Sequence, residues 1–205
     1  PFDVLSFTGS AETAAKLRNH PAIARNSVRT NIEADSLNVT VLGEDAMPGT
    51  PAFDLYVDNL VRDMTIKSGQ RCTAPRRALV PKAVMHAVAE AAAGKLAAIR
   101  VGNPRHADTG MGSLVSREQF DSACAGLALL KAEASVLFDG TAQPLLDADD
   151  QSACMGPSLL GVRDADAAVE VHRHEVFGPV CSLIGYKDAA HAIDIADRKS
   201  TRLNS

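Results

Sequence analysis

Phe53, Tyr56, Val57, Leu60, Val61 and Met64 recur at three- and four-residue spacing, the period of a single helix face. A strand-like run stands on either side: residues 37–42 before it, closed by Gly43, and residues 77–80 after it, stopped by Pro81. Strand, helix, strand in that order is what a parallel sheet with a crossover helix requires. The alternation extends along the chain. Val4-Leu5-Ser6-Phe7 reads as a short buried strand broken by Thr8-Gly9-Ser10, and Ser10 is placed to cap a helix over residues 11–19 that ends before His20-Pro21. An extended stretch follows over residues 28–32. Beyond Pro81 an alanine-rich helix carries Val84, Val88, Ala92, Leu96 and Ile99 on one side. The turns Gly102-Asn103-Pro104 and Gly110-Met111-Gly112 precede a helix over residues 117–132. Strands are expected at residues 136–138, 158–162 and 180–186, and Asp164-Ala165-Asp166 is expected to start a short helix. The fold class is α/β with a mostly parallel sheet.

Charge and cysteine usage narrow the function. The 205 residues carry 25 acidic and 21 basic side chains, a formal net charge of −4, which argues against a nucleic-acid partner. No apolar run approaches the roughly 20 residues a membrane span needs, so no membrane partner is expected. The start, Pro1-Phe2-Asp3, shows neither an initiator methionine nor a signal-peptide pattern. Cys72, Cys124, Cys154 and Cys181 are widely spaced, which suits reduced thiols in a cytoplasmic protein better than a disulfide framework. His172-Arg173-His174 lacks neighbouring ligands at zinc-site spacing, so no metal is expected.

Three short segments and one carboxylate could carry chemistry. Lys67-Ser68-Gly69-Gln70-Arg71-Cys72-Thr73 puts a cysteine in a turn of small residues just past the amphipathic helix. Lys67, Arg71, Arg76 and Arg77 are near it in sequence, and nearby cations favour the nucleophilic thiolate. A quiet loop cysteine is the alternative. Phe7-Thr8-Gly9-Ser10, between a strand and a helix, could seat a phosphate on the free amides of the helix N-terminus, or be an ordinary turn. Glu33, followed by Ala34-Asp35-Ser36-Leu37-Asn38, could cap a turn or act as a general base. In His174-Glu175-Val176-Phe177-Gly178-Pro179-Val180, an extended backbone would point Glu175 and Phe177 to one side, setting a hydroxyl acceptor beside a flat apolar surface.

These pieces, in this order, resemble the aldehyde dehydrogenase superfamily over residues 4–196. The segments Arg18-x-His20-Pro21, Glu33-Ala34-Asp35-Ser36-Leu37-Asn38, Pro48-Gly49-Thr50-Pro51-x-Phe53-Asp54 and Cys72-Thr73-Ala74-x-Arg76-Arg77 are similar to its CoA-linked semialdehyde dehydrogenases of phenylacetate and benzoate degradation, among them the dehydrogenase domain of the bifunctional phenylacetate protein PaaZ. The resemblance implies a thiol-bearing catalytic domain over residues 34–196, preceded at residues 1–33 by the end of a Rossmann-like cofactor domain. Residues 197–205 lie outside the resemblance and read as foreign to the fold. It implies Cys72 as nucleophile and Glu33 as general base. It also implies Gly9 and Ser10 at the cofactor pyrophosphate, Glu175 on the nicotinamide ribose and Phe177 near the nicotinamide. NADP is the implied cofactor, with NAD the alternative, and the implied substrate is an aldehyde linked to CoA. Such enzymes assemble as homo-oligomers. The family's oxyanion-hole asparagine and most of its nucleotide-binding domain have no counterpart here, so the chain reads as an internal fragment. The competing readings are a fragment that binds no cofactor, and a cysteine hydrolase in which His172 or His174 activates Cys72.

Overall fold

Ser10 does what its position promises: in the computed structural model, which describes residues 3–198, its hydroxyl accepts from the Thr13 amide at 3.3 Å. That cap starts α1 (Ala11–Arg18), directly after β1 (Val4–Gly9). A five-residue helix, α2 (Pro21–Arg25), was not evident from the sequence. It is too short for apolar periodicity to register, yet Pro21 holds its first position and His20 Nδ1 accepts from the Ala22 amide at 3.3 Å. The chain returns as β2 (Arg29–Ala34), parallel to β1, with Thr8 opposite Glu33 and Gly9 opposite Ala34. These elements make one compact unit, up to Ser36.

The second unit begins at Leu37 and is built on five strands. They are β3 (Val39–Val41), β4 (Arg77–Pro81), β5 (Ala134–Asp139), β6 (Ser158–Val162) and β7 (Val180–Tyr186), in the spatial order β3-β4-β7-β6-β5. All neighbours are parallel except β5, which runs antiparallel along β6 with a bulge between Val136 and Phe138. The first strand is shorter than the expected residues 37–42, because Leu37 and Asn38 give their carbonyls to arginine and backbone donors instead.

Strand alternation divides the core in two. On one face Ala78, Val80, Cys181 and Leu183 meet α3 (Pro51–Thr65) and α4 (Met85–Ala97). Five of the six periodic residues of α3 are buried there and Tyr56 packs against them. On the other face Leu79, Val180, Ile184 and Tyr186 meet α5 (Arg117–Leu130) and α6 (Ala189–Asp197).

One expectation is corrected at the C-terminal end. Asp164 starts no helix. Its carboxylate accepts from the Asp166 and Ala167 amides at 2.9 and 3.2 Å, which closes a single turn, and the chain moves on to a short 3-10 turn, Glu170–His172. The helix of this region is α6, capped by Asp188, whose carboxylate accepts from the His191 amide at 2.8 Å. It runs through Asp197, and the Arg198 guanidinium donates to the Ala165 and Asp166 carbonyls at 2.9 Å each. The rest of the segment read as foreign, residues 199–205, lies outside the described residues.

Among the described residues no helix is long and apolar enough to cross a membrane. No group of three or more His, Cys, Asp or Glu is gathered there to hold a metal ion.

Candidate active site

α3 ends abruptly, and the reversal is made by three consecutive left-handed residues: Lys67 at φ 53°, Ser68 at 55° and Gly69 at 70°. Two of the three are not glycine, a conformation that costs about 1–3 kcal/mol per residue and persists only where surroundings hold it. Here they do. Ser68 Oγ donates to the Gly112 carbonyl at 2.8 Å, and Gln70 Oε1 accepts from the Val115 amide at 3.1 Å. Gly69 is the one position where no side chain fits, since a Cβ would lie 2.2 Å from the Gly178 carbonyl oxygen. The turn so formed carries Cys72 exposed, with Asn38 Nδ2 donating to the Cys72 carbonyl and, at 3.2 Å, to the Ala74 carbonyl.

The segment before β7 is fastened to this turn by Arg76, a side chain only 5% exposed. Its guanidinium donates to Gly178 O at 2.8 Å, Gly69 O at 2.9 Å and Arg71 O at 3.4 Å. Nε faces Glu175 Oε1 at 3.5 Å, and the guanidinium carbon stands 5.5 Å from the centre of the Phe177 ring. Burial pulls the Arg76 pKa below the usual guanidinium range, and the Glu175 carboxylate partly offsets this. Gln119 of α5 adds a bond from Nε2 to Phe177 O at 2.9 Å. Glu175 and Phe177 therefore share one side, as expected, on an irregular stretch that packs around a cation.

Asn38, Cys72, Arg76, Glu175 and Phe177 all precede strands of the parallel set, so the site forms at the amino ends of β3, β4 and β7. Ligands of open α/β sheets more often sit at carboxyl ends.

Gly9, Ser10 and Glu33 belong to the first unit, at the carboxyl ends of its two strands. The Phe7 ring folds over Gly9, 2.6 Å from where a Cβ would be, so a side chain there would have to displace the ring. Ser10 gives its hydroxyl proton to Thr13 Oγ1 at 3.0 Å while capping α1. Asp35, in left-handed backbone at φ 49°, accepts from the Ala11 amide at 2.9 Å. The Ala11 and Thr13 amides at the start of α1 thus have side-chain acceptors within the protein.

Of the four cations read around Cys72, Arg77 is turned away into the core. Arg77 is 1% exposed and donates to Leu37 O at 2.9 Å, Ile195 O at 3.1 Å and Ala196 O at 3.2 Å, with His172 Nδ1 at 3.0 Å. Arg71 faces Asp63 at 3.6 Å. Arg76 and Arg77 each hold backbone carbonyls, Arg76 on the turn itself and Arg77 in the core. Burial and the Arg77 charge push the His172 pKa down to about 4, leaving a weak base fixed in the core. That argues against His172 as the activating base of the hydrolase reading.

A carboxylate oriented by a guanidinium beside a flat ring fits a nicotinamide riboside, as acceptor for ribose hydroxyls and apolar face for the pyridine. An exposed thiol on a pinned turn suits covalent attack on a carbonyl carbon. Asn38, Gln70, Arg76 and Gln119 escaped sequence reasoning as site residues. Asn38 and Arg76 stand inside motifs that were noticed, but their roles depend on contacts with Cys72 and Glu175, far away in sequence.

Comparison with known proteins agrees with this geometry. The aldehyde dehydrogenase family profile matches residues 1–205. The chain is 51% identical over 199 residues to the 3,4-dehydroadipyl-CoA semialdehyde dehydrogenase of Aromatoleum evansii, covering 96% of this chain and 38% of that protein. It is 28% identical over 195 residues to an acetaldehyde dehydrogenase of Pseudomonas aeruginosa, covering 94% and 37%. Among solved structures, betaine aldehyde dehydrogenase of Staphylococcus aureus in complex with NAD+ superposes with a TM-score of 0.84 at 27% identity, over 96% of this chain and 37% of that one. The chain thus spans under two-fifths of the length of these relatives.

Proposed function

The chain belongs to the aldehyde dehydrogenase family, and from that premise we propose that the enzyme carrying these residues oxidises a CoA-linked semialdehyde to the acid in aromatic-compound degradation. The observation that carries the reading is the Arg76 tie, which sets an exposed cysteine turn against an acid and an aromatic ring. The substrate class is supported by the 51% identity to a dehydroadipyl-CoA semialdehyde dehydrogenase. The cofactor is NADP by subgroup, with NAD as the alternative, and the solved relative bound to NAD+ supports a nicotinamide dinucleotide of either kind. Glu175 would take the nicotinamide ribose hydroxyls, Phe177 would face the ring, and Gly9 with Ser10 would meet the pyrophosphate. The thiol chemistry belongs in a reducing cytoplasm, and the whole enzyme is a homo-oligomer.

Cys72 Sγ adds to the aldehyde carbon, and backbone donors such as the Cys72 N–H hold the oxyanion. A bound nicotinamide dinucleotide supplies the hydride acceptance that takes this adduct to a thioester. Glu33 then removes a proton from water, whose oxygen adds to the thioester carbon. The C–S bond breaks, the acid leaves, and Cys72 returns as the thiolate.

The test is formation of reduced dinucleotide by the longest polypeptide carrying this sequence. The substrates are 3,4-dehydroadipyl-CoA semialdehyde and a free aldehyde, each with NADP and with NAD. Preference for the CoA-linked substrate, with iodoacetamide labelling Cys72 ahead of Cys124, Cys154 and Cys181, is expected. Equal labelling of all four with no dinucleotide reduced would reject the reading. A second reading applies to the 205 residues taken alone, favoured by their span of under two-fifths of the relatives: they bind no cofactor. A folded-state ligand must raise thermal stability, so an unchanged melting temperature at saturating NADP would establish it.

A further inference from the structure

Arg76 has been given no part in cofactor binding, yet it touches both halves of the second unit's site. One guanidinium joins two carbonyls of the nucleophile turn, Gly69 O and Arg71 O, to the Gly178 carbonyl, while facing the Glu175 carboxylate and the Phe177 ring. The side chain is almost wholly buried, and its Nε faces the Glu175 carboxylate, with Oε1 at 3.5 Å. A buried guanidinium is expensive to desolvate and is retained where its fork geometry fixes something a neutral residue would not. What it fixes here is the distance from the Cys72 turn to the acid and the ring.

Resting on the dehydrogenase reading above, we propose that Arg76 is a positioning residue for the cofactor: it holds Glu175 and Phe177 in register with the Cys72 turn. It acts through Glu175 and Phe177 and takes no part in the bond changes. The Cys72 turn has its own supports in Asn38, Ser68 and Gln70, so the thiol itself depends little on Arg76. The Glu175 side chain, 10% exposed, lies against the guanidinium, and its aim depends on that charge. Loss of the guanidinium therefore falls on cofactor binding first, and on hydride transfer through misplacement of the ring.

The experiment compares wild type with R76K, which keeps the charge facing Glu175 but cannot bridge three carbonyls, and R76Q, which keeps a donor but no charge. Measured for each are KM for the dinucleotide, KM for the aldehyde and the rate of Cys72 alkylation in the absence of cofactor. The expected order of dinucleotide KM is wild type, then R76K, then R76Q at about 10-fold or more above wild type. Aldehyde KM and alkylation rate stay within about twofold. Wild-type dinucleotide KM in both variants overturns the proposal, and so does an equal change in all three quantities, the signature of general loosening. If one variant does not fold, the other decides by the same criteria. Failure of the underlying reading is distinguishable: wild type itself would neither bind nor reduce a dinucleotide, and the proposal would fall with it. Wild type active with both variants indistinguishable from it sinks the Arg76 proposal alone.

Discussion

Arg76 and Arg77 are adjacent in sequence and both nearly inaccessible to water, at 5% and 1% exposure, yet they belong to different regions. Arg76 ties the Cys72 turn to Glu175 and Phe177, on a stretch with left-handed backbone and an exposed thiol. Arg77 opens β4 and shares a strand face with Leu79, so it points to the layer of α5 and α6. There it takes up Leu37 O and the last carbonyls of α6, beside a neutral buried histidine. A buried cation near a helix C-terminus is favoured by the helix dipole as well as by hydrogen bonding. One arginine thus organises a site and the other organises the fold, and strand alternation alone sends them apart.

Four substitutions would sharpen or break that division. The largest effect is expected from Cys72→Ser. Dinucleotide reduction should fall by about 10³-fold or more, as for loss of an essential nucleophile, with an unchanged urea midpoint. A stability loss comparable to the activity loss would mean the site region is structural after all. Arg77→Met comes next, because it strands buried carbonyls that cost about 1–3 kcal/mol each when unsatisfied. About 3 kcal/mol of unfolding free energy should be lost. A variant with wild-type stability and no activity would reverse the roles given to the two arginines.

Gly69→Ala should act on the site side with a smaller stability cost, about 1–3 kcal/mol. The new Cβ must displace the Gly178 carbonyl, and the backbone there is left-handed. A slowed or accelerated Cys72 alkylation rate with α6 still protected in hydrogen exchange would support this. An unaltered rate would show that Gly178 can move away without consequence.

At neutral pH the smallest effect belongs to His172, whose contribution shows only as pH falls. Its folded pKa is pushed down to about 4 from 6.5, so the unfolded chain takes up a proton that the folded one refuses. Its contribution is complete above about pH 6.5 and is lost as pH falls toward about 4. Urea midpoints across that window should decline in wild type and decline less in His172→Gln. Identical pH profiles would exclude this histidine as the source.

Much of the fold was legible because its signals are local. The six-residue stripe of α3, the Ser10 cap, the β7 run and the Pro81 stop all act within a few residues of themselves. Where sequence reading erred, two local preferences competed. Asp164 could cap a helix or close one turn, and its carboxylate accepted from two amides without a helix following. α6 was overlooked although Asp188 marks its start, since its nine residues bury only Ala192 and Ile195. The site was half legible. Gly9, Ser10, Glu33, Cys72, Glu175 and Phe177 stand out as residue types in distinctive company. Asn38, Gln70 and Gln119 do not, because a carboxamide has no sequence signature until its partner is known.

By itself the sequence determined the alternation of strands and helices, the burial pattern of each and the short motifs that carry the family resemblance. These follow from side-chain periodicity and capping, which are properties of neighbouring residues. Only the tertiary structure decided that the cysteine turn and the Glu175 segment meet at the amino ends of parallel strands. It also decided that Arg76 joins them and that Arg77, one residue on, serves the opposite layer. Strand order and register set those distances, and both come from packing between segments more than 100 residues apart, as in the 102-residue separation of Arg76 and Gly178.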